Sequence, residues 1–187
     1  LSLKPILKKN TAQLVIVSPT VPEAMAKFVK EAKEHKISYV YVPAQQLPRI
    51  SKEDLLAGLD GAAILIANDY EMSLIEKKSG LTHSKILQKI PIVVTTLGAK
   101  GSLIESHGKK ISVGIMNVKH IIDPTGAGDS YIAGFIYGYT HDYDLKICGQ
   151  IGATLASFAI EKYGTQNHTP SKIAFQKRYR EAFGEKL

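Results

Sequence analysis

Four short apolar runs, each closed by a turn residue, constrain the fold of this chain more than any other feature. Leu14-Val15-Ile16-Val17 stops at Ser18-Pro19, and Tyr39-Val40-Tyr41-Val42 stops at Pro43. Ala63-Ile64-Leu65-Ile66-Ala67 stops at Asn68-Asp69, and Pro91-Ile92-Val93-Val94-Thr95 runs on to Thr96-Leu97-Gly98. Continuous β-branched runs without polar alternation mark strands covered on both faces. Helical patterns lie between them. Pro22-Glu23 opens a helix whose apolar stripe is Ala24, Phe28, Val29 and Ala32. Ser51-x-x-Asp54 is a capping-box-like start for a short helix through Leu55-Leu56, and further helical segments are expected around 69–77 and 84–88. Strand alternating with helix predicts an α/β chain with a mainly parallel sheet and right-handed crossovers. Ligands of such sheets bind beyond the carboxyl ends of the strands. The third run delivers Asn68 and Glu71 to that end.

The downstream half changes character. Gly98 and Gly101 bracket a tight loop, Ser102-Leu103-Ile104-Glu105 resumes extended structure, His107-Gly108-Lys109 turns, and Ile111-Ser112-Val113 is another short strand. After the apolar step Ile121-Ile122 comes Asp123-Pro124-Thr125-Gly126-Ala127-Gly128-Asp129, opening a nearly uncharged helix from Ser130 to Tyr139. Gly126 and Gly128 keep side-chain bulk away from the helix start, and Thr125 can cap it with its hydroxyl. A bare first turn with unpaired N–H groups at the positive end of the dipole is a ready anion site. A carboxylate there, Asp129, can simply satisfy the dipole. It can also take a proton from an attacking hydroxyl beside a bound phosphate, which is what phosphoryl transfer needs. Asp144 can cap a second long helix, Leu145 to about Glu161, with Cys148, Ile151, Leu155 and Ala159 at helical spacing. Gly149, Gly152, Ala153, Ala156 and Ser157 thin one face of it, either for close helix packing or for a flat ligand. Pro170 to Phe183 reads as an amphipathic closing helix.

Composition excludes several classes. A single cysteine, Cys148, allows no intramolecular disulfide framework and sits among apolar neighbours as core. A reducing cytoplasm is the simplest setting. No apolar run approaches about 20 residues, so no membrane-spanning helix is expected. The net charge of +7 comes from scattered pairs such as Lys8-Lys9, Lys77-Lys78 and Lys109-Lys110, without the aromatic interleaving of a nucleic-acid surface. The six histidines show no metal-ligand spacing. Thr96-Leu97-Gly98-Ala99-Lys100-Gly101 is neither a Walker loop nor a dinucleotide fingerprint, so a nicotinamide oxidoreductase lacks its signature here.

Three stretches, in order, carry a resemblance: Asn68-Asp69-Tyr70-Glu71, Thr95-Thr96-Leu97-Gly98-Ala99-Lys100-Gly101 and Asp123-Pro124-Thr125-Gly126-Ala127-Gly128-Asp129. They look like the Asn-x-x-Glu, Thr-x-Gly-x-x-Gly and Asp-x-Thr-Gly-Ala-Gly-Asp motifs of the PfkB carbohydrate kinases. The resemblance implies a ribokinase-like three-layer α/β/α fold with a mainly parallel sheet. Residues 1–187 are then the C-terminal part of a single kinase domain whose substrate-binding region and lid lie upstream. It implies ATP-dependent transfer of the γ-phosphoryl group to a hydroxyl of a nucleoside or sugar, with adenosine-like members most similar. Asp129 is then the base, and the amides of Gly126, Ala127 and Gly128 form the anion hole. Asn68, Thr96, Gly98, Gly101, Thr125, Gly152, Ala153 and Ala156 lie toward the nucleotide, and Glu71 holds Mg²⁺ through water. Asp123 and Gly164 lie near a monovalent-cation site, with K⁺ the ion implied. Members often pair as homodimers through the lid. Val42 departs from the acid often found there, and Pro124 from the commoner Thr. Taken without the resemblance, Asn68 and Glu71 read as a reciprocal helix cap. A fragment that binds nucleotide without transferring phosphate is the competing reading.

Overall fold

The computed structural model describes residues 2–8, 11–118, 120–184 and 187. In chain order the elements are α1 (Lys4–Leu7), β1 (Leu14–Val17), α2 (Pro22–Glu34), β2 (Ser38–Tyr41), α3 (Lys52–Leu59), β3 (Ile64–Asn68), α4 (Asp69–Ser79), α5 (His83–Lys89), β4 (Ile92–Thr96), β5 (Ser102–Ser106), β6 (Lys109–Val113), α6 (Ala127–Thr140), α7 (Leu145–Ala159) and α8 (Lys172–Phe183). Short 3-10 turns cover Ala44–Gln46 and Gly98–Lys100. The sheet order follows the chain, β1-β2-β3-β4-β5-β6. Pairing is parallel from β1 through β4, as the strand–helix alternation predicts.

The chain divides into two compact units, Leu1–Thr96 with Glu105–Lys109, and Leu97–Ile104 with Lys110–Leu187. In the first, alternate side chains of the apolar runs fill one core, while β1, expected to be buried, leaves Ile16 exposed. Val17, Tyr39, Tyr41, Leu65 and Val93 from the sheet meet Met25, Val29, Leu55, Leu59, Met72, Ile75 and Ile86 from the helices. The phenol of Tyr39 donates to the Gly58 and Asp60 carbonyls at 3.0 and 2.7 Å, so a buried polar tip is satisfied. The helix starts follow their caps. Ser51 accepts from the Asp54 amide at 3.0 Å, and Thr82 accepts from the Lys85 amide at 3.4 Å.

In the second unit α6 and α7 form a tight pair. A Cβ at Gly134 would stand 2.8 Å from the Gly152 Cα, and one at Gly138 would stand 3.0 Å from the Cys148 Cα. The small residues thus let two backbones approach closely. Cys148 is fully buried, and burial pushes its thiol up to about 11. Helix α8 begins at Lys172 because the Ser171 hydroxyl accepts from the Ala174 amide at 3.2 Å. Arg178 ties it to α7, donating to Ser157 Oγ at 3.0 Å and Glu161 Oε2 at 2.7 Å, with its guanidinium 3.7 Å over the Phe158 ring.

One local expectation is corrected. Asp144 stands at the N-cap of α7 but its side chain makes no capping bond. The Ile121 and Ile122 side chains are exposed, and the Ile122 and Asp123 amides donate to the Ile160 carbonyl at the end of α7.

Candidate active site

In the first unit, β3 and β4 end side by side, with Asn68 opposite Thr96 in the parallel register. Helix α4 starts at once. The Asn68 Oδ1 accepts from the Glu71 amide at 2.7 Å, and Glu71 Oε2 accepts from the Asn68 amide at 2.9 Å, a complete capping box. The reciprocal cap is therefore real, and it holds a half-buried carboxylate at the carboxyl edge of the strands.

In the second unit most of the sequence-predicted residues fall in two segments, with Gly152, Ala153, Ala156 and Gly164 further along the chain. The loop after β4 is closed by backbone bonds: Leu97 N–H donates to the Gly101 carbonyl at 2.8 Å and Gly101 N–H to the Gly98 carbonyl at 3.0 Å. Gly101 has φ 87° and lies directly against the Val113 carbonyl, so no side chain fits there.

The other segment is the start of α6. Its N-cap is Gly126, left-handed at φ 85°, with no side-chain capping bond. Thr125 is therefore not the cap, a second correction to the sequence reading. Its amide donates to Asp123 Oδ1 at 2.9 Å and its hydroxyl is also turned to that carboxylate. The Gly164 amide donates to Asp123 Oδ2 at 2.9 Å, so Asp123 and Gly164 are brought into direct contact. The Thr125 hydroxyl first, then the two amides, hold the Asp123 carboxyl below the usual carboxylate range.

A Cβ at Gly126 would stand 2.9 Å from the Thr165 Cα, whereas one at Gly128 would meet nothing within 4 Å. The mouth of α6 is thus walled by Thr165 on the Gly126 side and open at Gly128. Asp129 is exposed in that first turn. Among the predicted anion-hole donors, Ala127 already closes a turn, its amide donating to the Pro124 carbonyl at 3.2 Å. Gly152 lies on the α6 side of α7, where a Cβ would stand 2.7 Å from the Tyr131 carbonyl oxygen. Helix packing accounts for the glycine there. Ala153 is buried and Ala156 half-buried on the same helix.

Sequence reasoning missed two contacts. Ser130 Oγ and His168 Nε2 lie 2.9 Å apart, with Ser130 buried, and Tyr131 donates to Ser102 Oγ at 2.8 Å. Their partners are 38 and 29 residues away, so no local spacing announces them. Among the described residues no cluster of His, Cys, Asp or Glu could hold a metal ion, and no helix is long and apolar enough to cross a membrane.

A mainly parallel sheet, with a polar capped helix at its carboxyl edge, makes this an α/β protein. The chain belongs to the pfkB family of carbohydrate kinases, whose pattern matches residues 4–172. It is 38% identical over 162 residues to a nucleoside kinase of Methanocaldococcus jannaschii, covering 85% of this chain and 52% of that protein. The crystal structure of M. jannaschii nucleoside kinase, described as an archaeal member of the ribokinase family, matches with a TM-score of 0.85 at 34% identity. It covers 90% of this chain and 56% of that one. Burkholderia thailandensis nucleoside kinase in complex with inosine matches with a TM-score of 0.91 at 26% identity, covering 94% of this chain and 59% of that one. The chain spans about half the length of the curated relatives it matches.

Proposed function

We propose that this chain is the C-terminal part of an ATP-dependent kinase domain that phosphorylates a hydroxyl of a nucleoside, adenosine-like. The observation that carries this reading is the mouth of α6: a left-handed Gly126, an unobstructed Gly128 and an exposed Asp129 within one turn. First-turn amides have no carbonyl four residues back, so they and the helix dipole favour a phosphate at that point. Amides of Gly126, Ala127 and Gly128 receive the γ-phosphoryl oxygens, Ala127 by exchanging its long bond to Pro124. Asp129 takes the acceptor hydroxyl's proton as that oxygen bonds to the γ-phosphorus. The β–γ bridging bond breaks, and its electron pair leaves with ADP.

Thr96, Gly98 and Gly101 approach the phosphates or ribose, and Ala153 and Ala156 border the base. Mg²⁺, when bound, supplies the positive charge that offsets the ATP phosphates. Glu71 fits the role of its outer ligand. One carboxylate oxygen is committed to the cap, and a water-bridged ion needs only the other. Asp123, tied to Gly164, offers its carboxylate toward a monovalent cation such as K⁺. The nucleoside acceptor is supported by the two nucleoside kinases above, one of them bound to inosine. A sugar acceptor is the second reading, favoured by 26% identity to a ribokinase of Lactococcus lactis.

Asp129→Asn tests the assignment in the complete enzyme. ATP affinity should persist while turnover falls about a hundredfold or more, the share of a general base. Turnover near wild type overturns the base assignment. Calorimetry on this chain separates transfer from mere binding: heat of ATP binding without product supports a nucleotide-binding fragment.

A further inference from the structure

Tyr131 is the fifth residue of α6, two positions after Asp129. Ser102 directly follows Gly101, the last residue of the glycine loop. Their hydroxyls meet at 2.8 Å, with Tyr131 6% and Ser102 2% exposed. We propose that this pair is a positioning strut that couples the Gly98–Gly101 loop to the mouth of α6, so that one nucleotide engages both at once. The inference rests on the kinase reading and adds to it two residues that none of the three motifs' roles includes.

The geometry favours a strut over a mere filler. Both ends are fixed independently. Gly101 is locked by its φ of 87° against the Val113 and Gly114 backbone. The tyrosine ring is held against α7, where a Cβ at Gly152 would stand 3.1 Å from Cδ2 and one at Gly149 would stand 3.4 Å from the hydroxyl. Phe135 stacks on it with ring centroids 6.3 Å apart. A side chain needed only to fill this space could be phenylalanine; the hydroxyl adds a directed bond between two ligand-facing segments. Burial pushes the phenol up to about 12, so it remains a donor throughout the neutral range. Neither hydroxyl can turn to bulk water, so the bond does not exchange freely.

Hydrogen–deuterium exchange on the full chain, with and without ATP, tests this. In the wild type ATP should slow exchange in residues 98–101 and in 126–130 together. In Tyr131→Phe it should still slow the loop but no longer the helix mouth, and calorimetry should show ATP bound about five- to tenfold more weakly, the effect of one well-placed hydrogen bond. Ser102→Ala should reproduce this, and the double variant should lose no more than either single one. Wild-type protection of both segments in Tyr131→Phe, with affinity within about twofold, overturns the strut. Faster exchange along all of α6 before any ATP is added also overturns it, since the pair then serves fold stability alone. Failure of ATP to protect either segment of the wild type is a different result: it overturns the kinase reading and the strut with it.

Discussion

Two glycines two residues apart do opposite jobs at the mouth of α6. Gly126 is required by its backbone: φ is 85°, and a methyl group would press on the Thr165 Cα at 2.9 Å. Gly126→Ala should lose about 1–3 kcal/mol from the left-handed strain alone, with the backbone contact adding to it. Urea unfolding reads that loss as a lower midpoint. Gly128 has helical geometry and open space around it. Gly128→Ala should therefore leave stability unchanged or raise it by up to about 1 kcal/mol, because alanine favours helix. The same methyl stands where a phosphate would sit, so ATP affinity should fall in calorimetry while the unfolding midpoint holds. If Gly128→Ala binds ATP normally, the phosphate does not sit at this turn.

At the level of elements, α6 and α7 are joined through their smallest residues. Gly134→Ala would place a Cβ 2.8 Å from the Gly152 Cα and 2.9 Å from the Ile151 carbonyl oxygen. Helix propensity favours the change, but both obstacles are backbone, and overpacking of this kind typically costs about 1–3 kcal/mol. Thermal unfolding should report a net loss; an unchanged midpoint would mean the pair can slide apart freely. The strands were legible because burial on both faces writes an unbroken apolar run, as at residues 64–67 and 92–94. Caps were legible where a short polar side chain did the work, as at Ser51 and Asn68. They were not where glycine's backbone did it: nothing in the residues of 125–126 says that the threonine turns back to Asp123 and leaves the cap to the glycine.

For the whole molecule, the same limit applies at longer range. The motifs pointed to segments of the candidate site, but two ties within the second unit, Ser102 to Tyr131 and Ser130 to His168, lay outside them. Such contacts depend on how helices pack, which local pattern does not encode. One solution property reports on both units together. Burial raises the phenols of Tyr39 and Tyr41 in the first unit, and in the second it raises Tyr131 to about 12 and the Cys148 thiol to about 11. Each group is neutral when protonated, and its ordinary value is 10.0 for tyrosine and 9.0 for cysteine. Between those values and the raised ones the folded chain holds more protons than the unfolded chain, so stability must fall as pH rises. It should be flat on this account below pH 9.0, the cysteine reference, and decline steadily above it. Denaturant midpoints across that range check the decline. Absorbance of ionised tyrosine should show a fraction that appears only as the circular-dichroism signal is lost. Titration of these phenols in the folded state would mean that the rings are reached by water, and the tight packing around each of Tyr39, Tyr41 and Tyr131 within its own unit would have to be abandoned.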